Sequence, residues 1–157
     1  EAIELVRETS QRRLEGCALG NLGDLYLQKG RLEDAREYLE IAVAISHEVG
    51  HKIPEAAFMG SLSELHRREG NLVAARDFIN RAEKLVREAN DTIELAKVTC
   101  RKGWLEVSAN DFDGARKACE ESQRLIGGLG LAGDHSLALS ISELEKQART
   151  HGSENPS

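Results

Sequence analysis

The chain has 157 residues, with 21 Lys and Arg against 27 Asp and Glu, for a formal charge of −6. That balance gives no electrostatic reason to expect nucleic acid as a partner, and no apolar run approaches the ~20 residues of a membrane span. The length allows one sizeable core, and the charged residues, 31% of the chain, are too interleaved with Leu, Ala, Val and Ile for disorder.

Written in rows of forty, the sequence aligns with itself without a gap. Residues 1–10 come first. Ala2 and Leu5 share the columns of Ala42 and Ile45, so this stretch reads as the end of a second helix from a truncated preceding repeat. The three rows 11–50, 51–90 and 91–130 follow. Leu25, Leu65 and Leu105 form one column and Ala35, Ala75 and Ala115 another; Tyr38 aligns with Phe78, and Ile45 with Leu85 and Leu125. Gly30, Gly70 and Asn110 mark one break per row, and Gly50, Asn90 and Gly130 a second. Gly and Asn tolerate the left-handed backbone that ends a helix. Between breaks, Ala18, Leu22, Leu25 and Ala35, Leu39, Ala42, Ile45 recur at helical spacing. Each row is therefore two helices of roughly 17 residues, on the order of 25 Å long. Asn71, Asp111 and the Asp91–Glu94 pair supply start signals, and Pro54 suits a first turn. Leu137, Ile141, Leu144 and Ala148 put one apolar stripe on a capping helix within 131–150, and 151–157 has the composition of a disordered tail. The expected fold is all-α.

The third row departs from the other two. Thr99, Lys102 and Glu106 stand where the first row has Leu19, Leu22 and Tyr26. Either that helix rotates to bury Leu95, Val98 and Leu105, or it packs loosely.

Two motifs fail their context. His47-Glu48-Val49-Gly50-His51 spells a zinc-protease pattern, which needs both histidines on one continuing helix, yet Gly50 is a helix-ending position. Gly128-Leu129-Gly130-Leu131-Ala132-Gly133 spells a dinucleotide fingerprint, but a helix rather than a strand precedes it. No catalytic residue, metal ligand or cofactor is expected. Cys17, Cys100 and Cys119 are odd in number and far apart, so they read as reduced, buried thiols of a cytoplasmic chain. A start at Glu1 rather than methionine reads as a fragment or processed product.

Leu19, Leu22, Gly23, Tyr26, Ala35, Leu39 and Ala42 resemble the tetratricopeptide signature, and Met59, Leu62, Ser63, His66, Ala75, Ile79 and Ala82 repeat it. The forty-residue spacing is similar to a variant found in bacterial regulatory and signalling proteins and in some cargo adaptors. The resemblance implies a right-handed superhelical solenoid of antiparallel helix pairs, acting as a non-catalytic scaffold that binds a protein or peptide. It also implies that first helices line a concave groove, at Asn21, Asp24 and Gln28, then Ser61, Glu64, Arg67 and Arg68, then Lys97, Arg101, Trp104 and Ser108. Asp24 and Glu64 would make an acidic patch. Arg67, Arg68, Lys97 and Arg101 would make a basic one, suited to acidic groups on a peptide. Trp104 is either an interface anchor or core. Lys97 and Arg101 match two basic positions of the family's carboxylate clamp for chaperone tails, but Gly20, Asp24 and Ser61 do not match the rest, so that mode of binding is not expected. The alternatives are homodimerisation through an apolar edge at Leu5 and Val6, or a regulatory sensor arm of a larger signalling protein.

Overall fold

The computed structural model describes residues 2–128 and 135–152, which form seven α-helices and no strand. In chain order these are α1 (Ala2–Gln28), α2 (Leu32–Glu48), α3 (Lys52–Arg68), α4 (Leu72–Ala89), α5 (Thr92–Ser108), α6 (Phe112–Gly127) and α7 (His135–Gly152). None of them is long and apolar enough to cross a membrane.

The break residues act as the sequence implies. Gly30, Gly50, Gly70, Asn90 and Asn110 all have positive φ, between 55° and 79°. At each turn the amide one residue further on reaches back five residues. Arg31 donates to Tyr26, His51 to Ser46, Asn71 to His66, Asp91 to Val86 and Asp111 to Glu106, at 2.8–3.4 Å. The same helix-ending motif thus recurs every twenty residues. Side-chain oxygens of Asn71, Asp91 and Asp111 accept from Ala74, Glu94 and Gly114 and cap the helices that follow.

Each odd helix packs on the even helix after it, and each even helix on the next odd one. Successive odd helices also touch, whereas no two even helices come within 8 Å of each other, Cα to Cα. A layered stack that is tight on one side and splayed on the other must curve, with the tight row inside. The fold is a solenoid of antiparallel helix pairs whose inner row is α1, α3, α5 and α7. Its core is continuous along the stack. Leu39, Phe58, Leu62 and Leu65 join the first two pairs, Ile79, Val86, Val98 and Leu105 the next two, and Leu137, Ile141 and Leu144 dock α7.

Three sequence expectations change. First, the column of Gly50 and Asn90 runs through Ser10, yet α1 continues through it without a break. Ser10 has no need of left-handed backbone, and its hydroxyl bonds the Val6 carbonyl one turn back. Second, Leu65 and Leu105 are fully buried but Leu25, in the same column, is 44% exposed. Those positions face the preceding helix pair, and none of the described residues covers that face of α1. Third, α5 buries Val98 and Leu105 as expected, yet the departing columns are not turned outward. Thr99 and Glu106 are buried in the family register, and the guanidinium of Arg76 takes both oxygens of Glu106 at 2.6 and 2.7 Å. A charged pair fills the place of Tyr26 and His66.

Candidate functional site

The inner row brings the expected groove residues onto neighbouring helices, and most of them are engaged with one another. Glu64 on α3 accepts from Arg67 at 2.7 and 2.8 Å and from Arg68 at 2.7 Å. These are neighbours one turn away on the same helix. Burial pushes the Glu64 carboxyl upward, but the two guanidiniums outweigh it and hold it below the ordinary value. Arg67 also reaches across to Ser108 on α5 at 3.0 Å, and Arg68 to the Leu27 carbonyl of α1 at 2.8 Å.

Arg101 on α5 donates to the Ala57 carbonyl at 3.2 Å and to Ser61 at 3.4 Å. Asp24 on α1 faces the same Ser61 hydroxyl and the Arg101 charge, and burial still lifts its carboxyl above the usual range. Lys97 lies 3.6 Å from Glu94, whose carboxyl burial raises as well. Trp104 is half-buried against the α5–α6–α7 cluster, and its indole N–H donates to Ser140 on α7 at 3.1 Å. Gln28 is exposed at the end of α1. The acidic and basic groups are therefore intermixed in local clusters, Glu64 with Arg67, Arg68 and Ser108, and Asp24 with Ser61 and Arg101, and are not segregated into an acidic and a basic patch.

Residues 14–88 match the family described as Tetratricopeptide repeat. This segment is built of tetratricopeptide repeats. The crystal structure of BtubC (BKLC) from P. vanneervenii is similar with a TM-score of 0.66 at 20% identity, a likeness of fold. It covers 87% of this chain and 59% of that one, so the chain spans less than two thirds of the protein it resembles. No curated protein sequence matches significantly.

The tetratricopeptide stack also has an outer surface, where sequence reasoning proposed nothing. Between α2 and α4, floored by α3, lies an open cleft of about 620 Å³. Val43, Met59, Leu62, Phe78 and Leu85 give it apolar walls, and Glu40, Arg81, Lys84 and Glu88 rim it. Glu55, in the first turn of α3, is buried at its base with only 6% of its side chain exposed, and accepts from His47 Nδ1 at 2.9 Å. The zinc-protease spelling ends here as geometry. His47 lies in the last turn of α2 and His51 starts α3 beyond Gly50, whose φ is 65°. Of the dinucleotide spelling, all but Gly128 lies outside the described residues, as does 153–157 of the expected tail.

The crevice between α4 and α6 stands forty residues later in register; an ion pair crosses it, and a smaller pocket of about 290 Å³ remains beside Arg87 and Leu95. Glu83 replaces Val43 and Lys102 replaces Leu62, and their side chains meet at 2.7 Å. Arg87, in the position of His47, bonds Glu83 at 2.7 Å and Glu121 at 3.0 Å. Leu95 stands in the place of Glu55. The signal for this difference was present in the sequence, because two facing columns switch together from apolar to opposite charges.

Proposed function

We propose that the protein is a non-catalytic scaffold whose inner row binds a protein segment. Tetratricopeptide repeats generally mediate protein–protein interaction, and the supporting observation here is a pair of polar clusters on the inner row, Glu64 with Arg67 and Ser108, and Asp24 with Ser61 and Arg101. A ligand carboxylate would exchange for Glu64 on Arg67 and Arg68, so binding is expected to weaken with salt. Asp24 would repel a carboxylate arriving at α1, which disfavours the chaperone-tail mode. The test is a capture experiment comparing wild type with an Arg67→Glu, Arg101→Glu variant whose folding is checked by circular dichroism. A partner held by wild type and lost by the variant supports the groove. A partner held equally by both contradicts it.

One observation favours self-association as a second reading. Ile3, Leu14 and Leu25 are 75%, 72% and 44% exposed. Their spacing of eleven residues, close to three turns, lines them along one face of α1. Light scattering decides it: a dimer that dissociates on Leu14→Glu supports the reading, and a monomeric wild type removes it.

A further inference from the structure

The α2–α4 cleft and the α4–α6 crevice are the same architectural gap, one repeat apart, and the second contains its own occupant. There a lysine from α5 sets its ammonium on a carboxylate of α4, Lys102 on Glu83. Arg87 adds a second cation. Burial raises the Glu83 carboxyl, yet hydrogen bonds from Lys102 and Arg87 hold it below its ordinary value. The first cleft has a carboxylate at its base, and its cations, Arg81 and Lys84, stand on the rim. Glu55 is buried at the base, with His47 as its hydrogen-bond partner, while Leu62 stands where a lysine would enter. A buried carboxylate gains from an added charged donor, because the low local dielectric strengthens such a hydrogen bond. The gap falls within the volume of typical ligand sites, about 300–1,000 Å³.

We propose that the cleft between α2 and α4 is a second binding site, taking a lysine or arginine side chain from an apolar segment of a partner protein. The stem lies against Val43, Leu62 and Phe78, and the cation reaches Glu55. The site is on the opposite side of the stack from the inner groove and is independent of it.

Met59 lines the cleft and is the single methionine of the chain, so its methyl group is a one-signal reporter. The single tryptophan, Trp104, reports the inner row. The whole 157-residue chain, labelled at the methionine methyl, is titrated with the acetylated and amidated peptide Leu-Leu-Lys-Leu-Leu and with its Gln counterpart. The lysine peptide is expected to move the Met59 signal saturably and to bind about tenfold tighter than the glutamine peptide. Trp104 fluorescence stays unchanged. Glu55→Gln, close to isosteric, is expected to erase the preference for lysine. Equal binding of the two peptides to wild type overturns the proposal, whether or not the variant folds. So does a Met59 signal that never moves. Hexylammonium binding as tightly as the lysine peptide would make this a small-amine site and overturn the assignment to a protein segment. A response at Trp104 concerns the groove alone, so the two readings fail separately.

Discussion

The junction between the first and second helix pairs and the junction between the second and third share one backbone plan and differ in chemistry. In the first, Phe58 packs directly over Gly20, Val43 faces Leu62, and the outer gap stays open. In the second, Arg101 lies over Gly60, Glu83 holds Lys102, and Arg76 holds Glu106. The helix-ending turns are the same in both, so the backbone does not depend on which chemistry joins the pairs. What the junction chemistry decides is which surfaces remain available. An ionic junction carries its own ion pairs across the gap, whereas an apolar junction leaves an open cleft with Glu55 and its His47 partner at the base.

The largest effect expected from breaking this comparison is at Gly20. A Cβ there runs into the Phe58 ring, a rigid group with no room to retreat, so Gly20→Ala is expected to cost about 1–3 kcal/mol in urea unfolding. The equivalent Gly60→Ala meets the end of the flexible Arg101 side chain, and is expected to stay within about 0.5 kcal/mol of wild type. Equal costs at the two sites would mean that the junctions are not built differently. Lys102→Met comes next. It keeps the stem and removes the cation from Glu83, whose side chain is 18% exposed, and a loss of about 1 kcal/mol is expected.

The smallest effect is in the acid limb. Because the folded Glu83 carboxyl sits below its unfolded value, its contribution is fully present above about pH 4.5 and is lost as pH falls through the folded value. Glu83→Gln is therefore expected to flatten the fall in stability below that pH. Glu64 adds a slope of the same sign, and the raised carboxyls of Asp24 and Glu94 oppose it. Thermal melts from pH 6 to pH 3 measure the difference, and parallel curves for variant and wild type would remove Glu83 from the account.

The architecture was legible because its punctuation is local. A Gly or Asn at a helix end needs no tertiary information to be read, and Gly30, Gly50, Gly70, Asn90 and Asn110 all end helices. Residues 1–10 run on into α1 because Ser10 stands in the column of Gly50 and Asn90, and column position alone, without the residue type, does not enforce a left-handed turn. Leu25 was misjudged because burial in a stack depends on the neighbouring pair, which a column cannot supply. The groove residues were legible as positions on inner helices but not as partners. The capture of Glu64 by Arg67 and Arg68 follows from spacings of three and four, whereas the reach of Arg101 to Ser61 crosses between helices. The cleft needed two columns read together, Val43 with Leu62 against Glu83 with Lys102.

The equivalence of the two junctions is the claim on which the cleft proposal rests, and a transplant tests it most directly. Val43→Glu and Leu62→Lys are made singly and together in the first junction and measured by urea unfolding as a double-mutant cycle. If the gaps are equivalent, each single change destabilises and the pair recovers about 0.5–1.5 kcal/mol of that loss, the size expected of a hydrogen-bonded pair such as Lys102 and Glu83. Costs that simply add would contradict the account, because the lysine and glutamate would then not meet across the cleft as their counterparts do.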